Sequence, residues 1–345
     1  MEQKTLEDAI TKGRNSLFLD KLNMSFGELM NMYTNEEFVI NPDFQRLFRW
    51  NLHQRTRFIE SLLLGIPIPS IFVAEDNDGR WEIVDGLQRI STVLSFFGHL
   101  KYDKNEKNGW ILEEGDIVKE LEGLNILKLP FKFKLQIKRA SCGVEVIKWD
   151  SNYDMRFELF NRLNTGGTNL TDQEIRNCIF RGISVEFTDT IKKLAESKEF
   201  IDLIQPTPKQ NEELYLDELV LRFFSIFENH NNILKNLSEH MTDYMREATK
   251  DENLYQYKIE KFKQTLSLVG HIGQKSILGK NGQLSTSLYD AIFNGVAVNL
   301  EYYQDATNKI LQDKILFLKQ DEKFKKASSS AKIIIRAVEI FSNHE

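Results

Sequence analysis

The chain has 345 residues, 41% of them apolar and 28% charged, so it can bury a substantial core and is not a disordered protein. Its formal net charge of −6 excludes a protein whose whole surface binds nucleic acid, although a local basic patch is compatible with that role. No apolar run reaches the roughly 20 residues of a membrane span, and the N-terminus is too charged for a signal peptide. We therefore expect a soluble, cytoplasmic protein that makes no membrane contact.

The prolines divide the chain into two regions of different character. All six lie at or before Pro208, and the segment "QPTPKQNEE" that holds the last two is typical of a linker. We predict an α+β domain over residues 1–205 and an all-helical domain over residues 212–345, because apolar stripes at helical spacing recur in the second region. These stripes fall in 216–227, 234–247, 254–268, 288–300 and 331–341.

Several short elements are predicted in the first region. "RFIESLLLG" predicts a helix that ends at Gly65, and "IPIPSIFVAE" and "RWEIV" predict a hairpin joined by "DNDG". "FKFKLQIK" alternates strictly, which predicts a half-buried strand with lysines on its outer face, and "VEVIKW" predicts a partner strand. The lysines of that outer face are Lys132, Lys134 and Lys138.

The end of the first region predicts two helices around a glycine turn. "YDMRFELFNRLN" has helical spacing and should end at "NTGG". "TDQE" is a capping box, so a second helix should begin beside Thr171 and end at Gly182.

The stretch "EIVDGLQRISTVLSFFG" places an Asp-Gly turn directly before a helix that should begin near Leu87. A strand that enters a glycine turn and then a helix N-terminus presents free backbone N–H groups to an anion. Asp85 and Arg89 are then either a cap and a solvated residue, or a site in which Arg89 contacts phosphate and Asp85 holds Mg²⁺ or orients water. The apolar positions that predict this helix are Ile90, Val93, Leu94 and Phe97.

Two further stretches are rich in residue types that contact ligands. In "NPDFQRLFRWNLHQRTR", arginines alternate with aromatic side chains, which suits phosphate and base contacts but equally suits a strand end with solvated arginines. In "FNRLNTGGTNL", the two glycines either let the backbone approach a ligand or form a plain turn between helices. The candidate contacts are Phe44, Gln45, Arg46, Arg49, Trp50, Asn161, Arg162, Asn164, Gly166 and Gly167.

Other chemistries have little support in the sequence. The two cysteines, Cys142 and Cys178, form no CxxC pair, and the six histidines form no metal-binding motif, so we expect no zinc, haem or flavin. No serine-hydrolase elbow and no Walker-type phosphate loop is present.

Four blocks of the sequence, in this order, resemble a known family. "FQRLFRW", "GIPIPSIFVAE", "VDGLQRISTV" and "FNRLNTGGTNLTDQEIRN" are similar to the domain of unknown function 262, the N-terminal domain of GmrSD-type, modification-dependent restriction endonucleases. The family's DGQQR pattern reads Asp85-Gly86-Leu87-Gln88-Arg89 here. The resemblance implies a ParB/sulfiredoxin-like α+β fold, a small mixed sheet with helices, followed by an all-helical domain.

The resemblance also implies a function. We expect a sensor or regulatory subunit of a bacterial anti-phage restriction system that binds and hydrolyses a nucleoside triphosphate with Mg²⁺ held by Asp85. DNA and a separate nuclease subunit would be its partners, since this chain lacks a histidine-centred nuclease motif; homo-oligomerisation stays open. The implied catalytic residues are Asp85, Gln88 and Arg89. The implied nucleotide-binding residues are Gly86, Ser91, Thr92, Gln45 and Arg46.

A second hypothesis comes from a different class of protein. The chain could be a non-catalytic module, antitoxin-like or scaffolding, that binds DNA or a nuclease partner and uses the Asp-Gly-x-Gln-Arg loop only structurally.

Overall fold

A computed structural model describes residues 18–40, 50–76, 78–101, 108–148, 170–181, 183–229, 236–279 and 282–343, together with residues 6–8, 10, 11, 13, 151, 155, 158–160, 162 and 233. The chain divides into two compact units, Met1–Leu170 and Thr171–Glu345. This division lies N-terminal to the boundary expected at residue 205. The domain limits 1–205 and 212–345 stay a prediction, because a division by contacts does not show which segments fold independently.

A five-stranded mixed sheet forms the centre of the first unit. The strands are β1 (Leu19–Ser25), β2 (Phe38–Val39), β3 (Ile71–Glu75), β4 (Trp81–Asp85) and β5 (Ser141–Ile147). Their order in the sheet is β1-β5-β3-β4-β2, with antiparallel β1/β5 and β3/β4 pairs and parallel β3/β5 and β2/β4 pairs. The predicted hairpin of β3 and β4 is confirmed, and Asp76 Oδ1 closes its turn by accepting the N–H groups of Asp78 and Arg80 at 2.9 Å.

Helices share one apolar core with this sheet. They are α1 (Phe26–Thr34), α2 (Leu52–Leu64), α3 (Leu87–Phe97) and α4 (Phe131–Arg139). The predicted helix over "RFIESLLLG" is confirmed as α2, which ends at Gly65 with φ of 71°. Helix α3 begins at Leu87 as predicted and buries Ile90, Val93 and Leu94 against the sheet residues of the core.

The prediction of a strand over "FKFKLQIK" is wrong, since these residues lie in α4. Pro130 precedes the helix, and its carbonyl accepts the N–H groups of Phe133 at 2.9 Å and Lys134 at 3.2 Å. Both positions beside β5 are already filled by β1 and β3, so the sheet has no place there for another strand. The prediction of a strand over "VEVIKW" is confirmed by β5.

The second unit is helical, in agreement with the prediction for the C-terminal region. A short helix also lies inside the predicted linker, where Thr207 and Gln210 form a capping box. The helices are α5 (Asp172–Arg181), α6 (Val185–Ala195), α7 (Lys198–Ile204), α8 (Pro208–Glu212), α9 (Tyr215–Ile226), α10 (Leu237–Ala248), α11 (Gln256–Ile272), α12 (Thr286–Val298), α13 (Leu300–Asp305), α14 (Asn308–Gln320), α15 (Glu322–Lys325) and α16 (Ser330–Ser342).

Aromatic side chains fill the core of the second unit. Phe223 and Phe200 each meet the Phe262 ring at 5.3 Å between centroids in edge-on geometry, and Tyr289 lies 4.3 Å from Phe293. No helix in the described part of the chain is long and apolar enough to cross a membrane.

Candidate functional site

The Asp-Gly turn joins β4 to α3 in a geometry that requires glycine. Gly86 has φ of 97°, a region that residues with a side chain rarely adopt, and a Cβ at this position would overlap the side chain of Ile71. The Gly86 carbonyl accepts the N–H of Ile90 at 3.0 Å, the first bond of the helical ladder. The predicted strand, turn and helix are therefore all confirmed.

Arg89 fixes this turn through three acceptors. Its Nη2 donates to Asp85 Oδ2 at 2.7 Å, and its Nη1 donates to the carbonyls of Ser70, at 3.1 Å, and of Pro69. The Arg89 side chain is only 13% exposed, whereas that of Asp85 is 49% exposed. The arginine is consequently held inside the turn, and the carboxylate is the part of the pair that solvent reaches.

Gln88 links the turn to the start of α2. The Gln88 side chain is buried, and its Oε1 accepts the backbone N–H of Trp50 at 3.0 Å. The Trp50 ring packs edge-on against Phe58, 5.5 Å between centroids. The sequence block that contains Trp50 and the block that contains Gln88 are thus joined directly by this hydrogen bond. The other candidates of the first block, Phe44, Gln45, Arg46 and Arg49, lie outside the described residues.

Ser91 and Thr92 lie on the buried side of α3, with no exposed surface. Their hydroxyls donate to main-chain carbonyls one turn earlier, Ser91 Oγ to Leu87 at 2.5 Å and Thr92 Oγ1 to Gln88 at 2.6 Å. In this arrangement neither hydroxyl is presented to a ligand, so their part in nucleotide binding stays a prediction without geometric support.

The block around residues 160–176 is only partly described. Arg162 is exposed and its Nε donates to Glu158 at 2.8 Å, while Asn161, Asn164, Gly166 and Gly167 lie outside the described residues. The capping box is confirmed, because Glu174 accepts the N–H of Thr171 at 2.6 Å and Thr171 Oγ1 accepts that of Glu174 at 3.3 Å. Arg176 of the same block is fully buried and donates to Thr242 Oγ1, so its role here is structural.

Two arginines that follow Trp50, Arg55 and Arg57, contact other side chains of the same unit. The Arg55 guanidinium lies over the Trp110 ring at 4.7 Å, and burial lowers its pKa while Glu113 partly offsets that effect. Arg57 Nε pairs with Asp116 at 3.2 Å. Arg55 therefore packs within the fold, whereas Arg57, whose side chain is 70% exposed, makes an ion pair on the surface.

Sequence reasoning missed the groups that position Arg89. The carbonyls of Pro69 and Ser70 have no side-chain signature, so the pattern "IPIPS" could suggest a turn but not an acceptor. Cys142 lies beside them, with its Sγ 3.5 Å from the Pro69 carbonyl, and burial raises the pKa of its thiol although nearby Arg89 opposes this. Both cysteines are buried.

The turn can attract an anion and a cation together. Gly86 supplies no side-chain cap, and the N-terminal end of α3 carries the positive end of the helix dipole beside the exposed Asp85 carboxylate. Within the described residues no cluster of three or more His, Cys, Asp or Glu side chains could hold a metal ion. A divalent cation at Asp85 would therefore need oxygen ligands from a bound molecule and from water.

A comparison with protein families identifies this part of the chain. A model described as the GmrSD restriction endonuclease, N-terminal domain, matches residues 26–181. Residues 26–181 are a GmrSD N-terminal domain. The matched residues contain strands β2 to β5, the Asp85 turn, Trp50 and the capped helix α5, whereas β1 precedes them. The match indicates a component of a restriction system. No curated protein and no solved structure matches the chain.

Proposed function

We propose that the chain is a nucleoside triphosphate-binding regulatory component of a bacterial anti-phage restriction system, with the triphosphate at the Asp85 turn. The observation that carries this proposal is the arrangement at Gly86. A strand enters a glycine turn, the following helix has no side-chain cap, and an arginine holds a half-exposed carboxylate beside that helix end. The GmrSD domain match supports placing the activity in a restriction system.

Charge balance implies Mg²⁺ in this proposal. A triphosphate beside Asp85 would be repelled by the carboxylate unless a cation lay between them. Asp85 would bind Mg²⁺ together with phosphate oxygens and water, and the backbone N–H groups at the start of α3 would bind phosphate. Arg89 would orient Asp85 and offset its charge, since its guanidinium is already bonded to that carboxylate and to two carbonyls.

Gln88 connects the proposed nucleotide site to the start of α2 through a hydrogen bond. Because its Oε1 holds the N–H of Trp50, a shift of the first turn of α3 on nucleotide binding would be transmitted to the start of α2. If the chain is a sensor, the block "FQRLFRW", which precedes α2, would respond to this shift. Hydrolysis is the second part of the proposal: Asp85 would hold Mg²⁺ and orient the attacking water, and the ion would offset the charge of the phosphates.

Binding and hydrolysis can be tested separately on the full chain. Fluorescent analogues of the four common ribonucleoside triphosphates, with Mg²⁺, would measure binding, and phosphate release would measure turnover. Arg89→Lys should weaken binding about tenfold, because lysine lacks the planar guanidinium whose two terminal nitrogens bond Asp85 and the two carbonyls separately. Arg80→Lys is the matched control, since Arg80 also pairs with aspartates, Asp76 and Asp78, in the β3–β4 turn.

The outcomes separate the alternatives. Weaker binding in Arg89→Lys alone, with both variants folded, supports the site, and equal affinities would reject it. Binding without phosphate release would leave a regulatory nucleotide site and remove the hydrolase function. Absence of binding by the wild type would favour the non-catalytic module that contacts DNA or a nuclease, for which the basic helix α4 is the supporting feature. DNA binding by that module would weaken steeply with salt.

A further inference from the structure

A groove of about 480 Å³ lies between the end of α2 and the exposed side of α4. Leu62, Leu135 and Ala140 give it apolar surface, and Lys132 and Arg139 add positive charge. Gly65 and Gln136 complete the lining, and Gln136 Nε2 donates to the carbonyl of Leu63, which fixes α4 to the end of α2. The groove therefore combines apolar surface with positively charged surface.

The charge of α4 has one sign. Its nine residues include four cations and no acid. Lys134 Nζ donates to the Leu127 carbonyl at 3.3 Å and Lys138 Nζ lies 5.5 Å from the centre of the Phe97 ring, so both are directed toward the fold. Among the described residues, no acidic side chain pairs with Lys132 or Arg139. Lys132 Nζ lies 5.0 Å from the centre of the ring of its neighbour Phe133, a contact that leaves its positive charge unbalanced by any acid of the described residues. Lys132 and Arg139 can therefore pair with anionic groups in the groove.

The fold leaves some apolar side chains of α4 exposed to solvent. Ile137 is fully buried, but Phe131 at the start of the helix is 72% exposed, and Leu135 is partly exposed in the groove. Ile66, one residue beyond Gly65, is 45% exposed. Exposed aromatic and aliphatic side chains beside arginine are typical of the centre of a protein–protein interface.

We propose that this groove binds an acidic amphipathic helix of a partner protein. Apolar side chains of that helix would cover Leu135 and Phe131, and its carboxylates would pair with Lys132 and Arg139. Double-stranded DNA would satisfy the two cations but would leave the apolar lining and Phe131 uncovered, so a protein fits the surface better. The proposal goes beyond the nucleotide site and does not depend on it, because the groove is built from α2 and α4.

A designed peptide provides a direct probe. A fluorescently labelled helical peptide with leucines on one face and glutamates on the other would be titrated into the full chain. Two controls share its composition or pattern, a scrambled peptide and one with lysine in place of each glutamate. We expect at least about tenfold tighter binding of the acidic amphipathic peptide than of either control, and weaker binding as salt increases.

Matched variants assign the binding to the groove. Phe131→Ala and the double change Lys132→Glu/Arg139→Glu should each weaken peptide binding about tenfold. Ile117→Ala removes a similarly exposed apolar side chain elsewhere in the unit, and Lys323→Glu/Lys326→Glu reverses two exposed cations elsewhere in the chain, so neither should matter. Circular dichroism would confirm that all variants are folded.

Three results would overturn the proposal. They are equal binding of the scrambled peptide, equal binding by the groove variants, and loss of duplex DNA binding in the same variants without any effect on the peptide. The last result would assign the groove to nucleic acid. Nucleotide affinity should be unchanged in Phe131→Ala. This measurement therefore distinguishes failure of the groove proposal from failure of the nucleotide-site proposal.

Discussion

Two aspartate–arginine pairs in this chain have similar hydrogen bonds in different surroundings. Asp85 and Arg89 are 2.7 Å apart at the start of α3, whereas Asp290 accepts from Arg222 at 2.5 and 2.9 Å in the helical unit. Asp85 is 49% exposed and Asp290 is 3% exposed. Burial lowers the pKa of Arg222, but Asp290 and Glu218 outweigh it and the net pKa is raised. The buried pair is satisfied by the fold, while the exposed pair keeps a carboxylate that a ligand can reach.

The same substitution in both pairs should give very different losses of stability. Asp290→Asn leaves a buried arginine with reduced charge compensation, and we expect it to lower the free energy of unfolding by about 3 kcal/mol. Asp85→Asn should cost at most about 1 kcal/mol, because the Asp85 carboxylate is half exposed and Arg89 keeps its bonds to the Pro69 and Ser70 carbonyls. Chemical denaturation of the two variants measures both values. Equal losses would contradict the distinction between a structural and a solvent-accessible pair.

The two glycines at the ends of α3 test how tightly the turn is built. Gly86→Ala combines a positive φ with an overlap against Ile71, and we expect a loss of about 2–4 kcal/mol. Gly98→Ala has φ of 79° but open space around its Cβ, so we expect about 1 kcal/mol. Thermal and urea unfolding would compare them. A loss in Gly86→Ala no larger than in Gly98→Ala would show that the turn can relax.

Lys258 tests the cost of buried charge in the helical unit. Its Nζ donates to the Phe224 carbonyl at 2.7 Å and lies 4.7 Å from the Tyr244 ring, and burial lowers its pKa to about 8, against a smaller opposing effect of Glu228. Between about pH 8 and 9.5 the unfolded chain therefore binds more protons at this group than the folded chain does. The free energy of unfolding contributed by Lys258 should rise with pH across that window.

Lys258→Met isolates this contribution. The difference in unfolding free energy between wild type and Lys258→Met should change by about 1–2 kcal/mol from pH 8 to pH 9.5, in favour of the wild type at the higher pH. The exposed Lys326→Met variant should show no such change. A difference that stays constant with pH would mean that Lys258 keeps its usual pKa in the folded protein.

Local patterns in the sequence predict the Asp85 turn well. Apolar residues at helical spacing predict α3, and Gly86 marks a position where the backbone needs positive φ. The helix α4 could not be predicted in this way, because strict alternation of Phe and Lys fits a strand equally well. Its helical state depends on the pairing of β5 with β1 and β3, which are far apart in the sequence.

The candidate site was predicted in part for a similar reason. Asp85, Gln88 and Arg89 lie together because they share one turn of chain. The roles of Arg89 and Gln88 depend on main-chain groups of Pro69, Ser70 and Trp50, which no side-chain pattern reveals. The resemblance implies that Ser91 and Thr92 bind the nucleotide, but the helix directs both side chains into the core.

We propose above that the exposed Asp85 carboxylate holds a Mg²⁺–nucleotide complex. Calorimetric titration of nucleoside triphosphates into the full chain, with Mg²⁺ and with the metal removed by EDTA, tests it most directly. We expect Mg²⁺-dependent binding by the wild type, about tenfold weaker binding by Asp85→Asn, and unchanged binding by Asp78→Asn, an exposed aspartate in the β3–β4 turn. Equal affinity of Asp85→Asn and wild type, or binding that ignores Mg²⁺, would contradict the claim.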